Sequence, residues 1–330
     1  MREIVCRCRP DIPEDILYQL AQRMVTVNIH TGKLGDNDSL LLLERCLVAG
    51  VGVSLDLVPK IRVRAVQPFE VGPNDEKYVR VCVGDRVQIG NGGEGKSVWF
   101  NQSVCLPDGS TLVFGTHDIV AEITQGGRIL VVNQAGNGGK IFNNHGVAGG
   151  NILINERPGG KLLTKTDENL LAKIPTNSWR IVKEVVLSFV CNLRQVHRSI
   201  NSLAKFGCND SKICLKIETK SAFENLEGLV FKINRVVIGC GDLGVTCKVL
   251  GWNLDDTVKL IVSRLHSCGY VGKLWLAYDF GDSIQGDVAK MKFLEKLESE
   301  LGRQIGVWLT GSTMNANYAD IMPIIDRFVD

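Results

Sequence analysis

Short apolar runs alternate along the chain with stretches of helical amphipathic pattern. The runs fall at residues 4–8, 25–29, 52–56, 185–190, 213–217, 236–240, 274–278 and 306–309. They are continuously apolar rather than alternating, as expected of parallel strands buried on both faces. Helical patterns occupy 13–24, 38–48, 193–205, 221–231, 253–267, 288–301 and 318–328. Strand and helix in repeated succession predict an α/β fold, a closed (β/α)8 TIM barrel. Between the third and fourth strands the pattern changes. The chain becomes Gly-rich, with short alternating segments at 79–83, 112–114, 119–123 and 129–132 and turn signals such as Pro107-Asp108-Gly109 and Gly126-Gly127. This predicts a small inserted all-β domain. The expected division is 1–64 for the first part of the barrel, 65–156 for a β-barrel-like lid domain and 157–330 for the rest of the barrel.

Composition narrows the function. Of 330 residues 45% are hydrophobic and 22% charged, and the net charge is only +2. That is ordinary globular composition, with no electrostatic argument for nucleic acid or a membrane surface. Arg2, Glu3, Arg7, Arg9 and Asp11 come too early for a secretory signal, and the apolar stretch 40–53 is interrupted by Glu44 and Arg45. A cytoplasmic protein is expected. The 11 cysteines include no C-x-x-C pair, which predicts reduced, mostly buried thiols rather than zinc ligands or disulfides.

In a barrel of this kind the chemistry sits at the C-terminal ends of the strands. Polar and charged residues collect there: Asn28 after the second run, Asp56 after the third, Lys216 and Glu218 at the fifth, Asp242 after the sixth and Asp279 after the seventh. Lys216 and Glu218 are two apart and share one side of an extended chain. Carboxylates from Glu218 and Asp242 suit a hard divalent cation, Mg2+ or Mn2+, and the lysine suits developing negative charge on a phosphoryl or enolate oxygen. A rival motif is Gly90-Asn91-Gly92-Gly93-Glu94-Gly95-Lys96-Ser97, which has the spacing of a phosphate-binding loop. Such a loop must open a helix. Val98-Trp99-Phe100-Asn101 follows instead, so a turn in the β-domain is expected.

Taken together these stretches resemble the pyruvate kinase family. Ile4-Val5-Cys6 with Pro10, Val27-Asn28-Ile29-His30-Thr31-Gly32, and Leu55-Asp56-Leu57-Val58-Pro59-Lys60-Ile61-Arg62 are similar to its first three strand ends. Asn137-Gly138-Gly139 and His145-Gly146-Val147 resemble the close of its inserted domain. Lys216-Ile217-Glu218, Gly241-Asp242-Leu243-Gly244-Val245 and Leu309-Thr310-Gly311-Ser312-Thr313 resemble its fifth, sixth and eighth strand ends. No stretch resembles the family's C-terminal regulatory domain.

The resemblance implies phosphoryl transfer between phosphoenolpyruvate and ADP, giving pyruvate and ATP. Lys216 would be catalytic, Glu218 and Asp242 would hold Mg2+, and Gly241, Asp242 and Asp279 would fall at substrate-binding positions. Arg62 would contact nucleotide. Asn28, Asp56 and Lys60, with His30 and Leu57 beside them, match a monovalent-cation site. Lys60 replaces the glutamate of potassium-dependent members, which implies that K+ is not required. The departures are Thr26 for a phosphate-contacting arginine, His30-Thr31 for Ser-His, Asp279 for a substrate-contacting threonine, and Gly115-Thr116-His117 for Asp-Asp-Gly in the insert. Two other readings stay open: a metal-dependent lyase or decarboxylase acting on a pyruvate-like 2-oxo acid, and a catalytically silent homologue. The expected partners are small molecules, with a homo-oligomer compatible with all three readings.

Overall fold

The computed structural model describes residues 2–31, 34, 36–57, 61–72, 77–90, 95–100, 108–114, 119–136, 138–142, 146–148, 162–278, 284–309 and 318–329. The chain forms two compact units: Met1–Pro59 with Gly160–Leu243 and Leu254–Asp330, and Lys60–Gly159 with Gly244–Asn253.

The first unit is a closed barrel of eight parallel strands. They are β1 (Ile4–Arg7), β2 (Thr26–His30), β3 (Val53–Leu57), β4 (Val182–Leu187), β5 (Ile213–Ile217), β6 (Arg235–Gly239), β7 (Lys273–Tyr278) and β8 (Gly306–Leu309). Each pairs with its successor in the chain, and β8 pairs with β1 to close the ring. The helices are α1 (Glu14–Gln22), α2 (Asp36–Ala49), α3 (Lys165–Lys173), α4 (Leu193–Ala204), α5 (Lys220–Glu224), α6 (Leu226–Val230), α7 (Cys240–Leu250), α8 (Leu254–Ser267), α9 (Ile284–Leu301) and α10 (Tyr318–Val329).

The register settles which residues face inward. Val5, Val186, Cys214, Val237, Trp275, Ala277 and Trp308 form one buried cluster inside the barrel. Trp275 lies over Gly306, where a Cβ would come within 2.2 Å of the ring, so only glycine fits there. Since partnered Cα atoms of adjacent strands project to the same face, Asn28 and His30 join Ser54 and Asp56 on the inner face, which continues through Val186 to Lys216, the partner of Val237. The inner face is therefore apolar around β5–β8 and β1 at mid-height, and polar where the strands end.

The second unit contains a closed seven-stranded barrel built from Ile61–Gln67, Arg86–Ile89, Ser97–Phe100, Thr111–Phe114, Ile119–Thr124, Ile129–Ala135 and Gly146–Ala148. A three-stranded sheet of Glu70–Val71, Lys77–Arg80 and Lys140–Phe142 accompanies it. Alternation along Ile119–Thr124, buried at Ile119, Ala121 and Ile123, is the half-buried strand pattern seen in the sequence. Those three residues join Val66, Val87, Leu112, Phe114 and Leu130 in an all-apolar core.

Several expectations need correction. The fourth strand spans 182–187 instead of 185–190, leaving Ser188, Phe189 and Val190 in the turn that follows. The helical pattern at 221–231 is two short helices parted at Asn225, whose side-chain amide donates to the Ser221 and Cys191 carbonyls. Such local bonds compete with helical ones. Cys240 opens α7, so Gly241 and Asp242 lie in a helical first turn; two glycines in five residues hid that helix, because glycine disfavours helix interiors. Helix α3 also went unread, although Thr164 and Asp167 form a reciprocal capping box at its start.

Candidate active site

The C-terminal end of the barrel gathers a buried charged cluster. Lys216 reaches from β5 with its Nζ 2.9 Å from Glu218 Oε1 and 3.4 Å from Asp56 Oδ2. Asp56 and Glu218 are each 1% exposed and Lys216 9%. Charges so far from water persist only when paired and hydrogen-bonded, and both carboxylates have a second anchor. Ser188 Oγ donates to Asp56 Oδ1 at 2.7 Å, and the Phe189 amide donates to Glu218 Oε2 at 3.2 Å.

That amide is aimed by an unusual backbone. Phe189 has φ +55°, in the left-handed region that a bulky side chain rarely adopts. The turn around it is held on several sides. Ser188 N–H donates to the Leu57 carbonyl, Thr219 Oγ1 to the Val190 carbonyl, and Cys191 N–H to Gln195 Oε1. Gly239 on β6 leaves the space Glu218 fills: a Cβ there would lie 2.5 Å from Oε1.

The electrostatics follow from this geometry. Burial works to lower the Lys216 pKa, but Asp56, Glu218 and Asp242 together outweigh it and hold the ammonium charged. Burial pushes the Glu218 carboxyl up, Lys216 opposes that, and Asp242 and Asp56 add to it. Asp242, half-buried in the first turn of α7, is thus within electrostatic range of both. On the neighbouring wall Asn28 is 1% exposed; its Nδ2 donates to the Ser54 carbonyl at 3.5 Å, while its Oδ1 is buried with no hydrogen-bond partner among the described residues. Beside it, Thr31 Oγ1 lies 3.1 Å from the Asp56 carbonyl and 3.3 Å from buried Asp167, sharing its one hydrogen between them and tying the β2 strand end to the start of α3.

The barrel therefore brings Asn28, Asp56, Lys216 and Glu218 to one end, with Asp242 close to the last two. Lys60 and Asp279, like Gly115-Thr116-His117 and Thr310 to Thr313, lie outside the described residues, and so does the side chain of Arg62 on the strand Ile61–Gln67. The phosphate-loop spacing has a different explanation. Lys96 is paired with Asp85 at 2.5 Å, and Ser97 starts a strand instead of a helix. Ser188 and Phe189 were missed from sequence, though a polar residue closing an apolar run is the signal that marked Asn28 and Asp56. Among the described residues no cluster of three or more His, Cys, Asp or Glu side chains is arranged to hold a metal. Two carboxylates with substrate and water oxygens are nevertheless an ordinary Mg2+ set.

No family model matches the chain. A pyruvate kinase from Pyrobaculum aerophilum is 26% identical over 325 residues, covering 91% of this chain and 68% of that protein. The chain is thus distantly similar to a pyruvate kinase through most of its length, on a barrel whose strand ends carry a buried lysine between two carboxylates.

Proposed function

We propose that the protein is a pyruvate-kinase-like phosphotransferase that moves a phosphoryl group between phosphoenolpyruvate and ADP. The observation that carries this reading is Lys216, held charged at the C-terminal end of the barrel by Asp56 and Glu218. In the transfer, the bond from phosphorus to the enol oxygen breaks and one to the terminal ADP oxygen forms. The enolate left behind takes a proton on carbon to become pyruvate. The Lys216 ammonium would face the negative charge that develops on the phosphoryl and enolate oxygens, and a fixed cation there stabilises the transition state more than the ground state. Ser188 and the Phe189 amide fix the two carboxylates and so fix the lysine between them.

The residues fit a divalent cation: the space left by Gly239 admits the Glu218 carboxylate, and oxygen donors suit a hard ion. Glu218 and Asp242 would hold Mg2+ or Mn2+, which supplies charge neutralisation for the substrate oxygens. The Gly241 and Asp242 amides at the head of α7 would face the substrate carboxylate, with Arg62 on the nucleotide; Asp279, in place of the family's threonine, would repel that carboxylate. At the monovalent position the orphaned Asn28 Oδ1 and the Asp56 carboxylate suit a cation, and Lys60 would provide it in place of K+.

The test is turnover of phosphoenolpyruvate and ADP with Mg2+, read as pyruvate formed, in potassium and in tetramethylammonium. Equal rates in both salts, abolished by Lys216→Met, are expected. Wild-type turnover no higher than that of Lys216→Met would overturn the reading. A strong potassium requirement would remove Lys60 from the cation position while leaving the rest.

A further inference from the structure

The inner face of the barrel carries one more cation that the scheme above does not use. Val5 belongs to the buried interior cluster with Trp275 and Trp308. Successive residues of a strand alternate faces, so Arg7, two residues on at the end of β1, projects to that same inner face. Its Cα is in register with Asn28 on β2, which places it among the strand-end residues. The strand that carries it is fixed on both sides, by β8 and by β2. The turn beyond is held as well, because the Arg45 guanidinium donates to the Pro10 and Ile12 carbonyls. Arg7 is half-buried, with its Nε out of contact with solvent.

Its place in the ring is informative. In the closed strand order β1 stands four strands from β5 in either direction, so Arg7 rises from the wall opposite Lys216 and Glu218. The two strand-end cations thus occupy different sides of one mouth. Lys216 lies between two carboxylates at 2.9 and 3.4 Å. A guanidinium offers a planar fork suited to two oxygens of one oxyanion.

We propose that Arg7 is a substrate-binding residue that contacts an oxyanion of the substrate from the wall opposite Lys216 and Glu218. The ligand class this selects is a small molecule with two anionic groups. The inference rests on the phosphotransferase reading for the identity of that molecule, and the oxyanion is either its phosphoryl or its carboxylate group.

Calorimetric titration of wild type, Arg7→Gln and Arg7→Lys decides it, with Mn2+ alone, then inorganic phosphate and pyruvate in saturating Mn2+. Arg7→Gln should weaken one of the two oxyanions by at least about tenfold, the loss expected for a hydrogen bond to a charged group, and leave Mn2+ affinity within about twofold. The oxyanion that weakens identifies the group bound. Arg7→Lys, which keeps the charge without the fork, should fall between, and it carries the test if Arg7→Gln does not fold. Unchanged oxyanion affinity, a parallel loss of Mn2+, or a wild type that takes neither oxyanion would overturn the proposal. If wild type fails to bind Mn2+, the metal-dependent reading falls, and phosphate titrated in the presence of a chelator then judges Arg7 by the same criterion.

Discussion

The chain builds two closed barrels and fills them differently. Among the described residues the seven-stranded one holds only apolar side chains in its core, from Val66 and Val87 through Phe114 to Val147. The buried polar groups of its unit are the hydroxyls of Ser97, Ser110 and Thr246, with no buried charge among the described residues. The eight-stranded barrel buries Asp56, Glu184, Lys216 and Glu218 along with its tryptophans. Both solutions close a sheet. Desolvated ions usually gain a fold nothing over well-packed hydrocarbon. Among the described residues, buried charge is confined to one barrel and missing from the core of the other.

The largest effects should separate the two interiors. Lys216→Met leaves Asp56 and Glu218 buried without their shared cation and should cost about 3–5 kcal/mol in denaturant unfolding. Phe114→Ala in the apolar barrel should cost a similar amount, about 3–5 kcal/mol, through its cavity. Mn2+ should recover part of the first loss and none of the second. Equal recovery, or none in either, would erase the distinction. Next is the other charged pair of the eight-stranded barrel, where Arg235 meets Glu184 at 2.7 Å. Burial pushes the Glu184 carboxyl up from 4.5 to about 7 against the pull of Arg235. The folded state therefore keeps a proton that the unfolded chain releases, so the contribution of Glu184 to stability is greatest below pH 4.5 and is lost as pH rises towards 7, by roughly 3 kcal/mol. Glu184→Gln should flatten that slope in melts taken from pH 5 to 8; an unchanged slope would assign it elsewhere.

A slightly smaller effect tests the metal. At a hundred times its dissociation constant Mg2+ should add about 2.7 kcal/mol to wild type and nothing to the Glu218→Gln, Asp242→Asn double variant. Equal metal response in the two proteins would remove these carboxylates as ligands. The smallest effect is chemical. The ten described cysteines are free, and only Cys82 and Cys268 are exposed. Burial pushes the Cys46 thiol up to about 12 and that of Cys208 to about 11, so a thiol reagent should label Cys82 and Cys268 in the native protein and reach these two only on unfolding. Mapping the adducts by mass spectrometry checks it.

All eight barrel strands were legible because parallel strands buried on both faces read as plain apolar runs, and Asn28, Asp56, Lys216 and Glu218 stood out as the polar residues closing them. What escaped was conformational. Nothing in Ser188-Phe189 announces a left-handed residue whose amide meets Glu218 from the next strand, since that turn is fixed by distant partners such as Leu57 and Thr219. Helix α7 was obscured because Gly241 and Gly244 argue locally for a loop, and tertiary packing overrode them. Among the described residues no helix is long and apolar enough to cross a membrane.

The pairing of β8 with β1 also governs how the molecule can be made. The bonds that join the two ends span nearly the whole chain: Arg2 meets Glu298 across 296 positions and Arg23 meets Asp326 across 303. Contacts of such separation form slowly, because a long loop must close before they return any free energy. On the ribosome β1 emerges before every other strand of this barrel and its neighbour β8 after all of them, so one edge of the nascent sheet stays unpaired until β8 follows. An open edge of Ile4, Val5 and Cys6 is a template for association with other chains. Yield on expression should accordingly depend on chaperone supply and temperature more than the stability of the finished barrel would suggest.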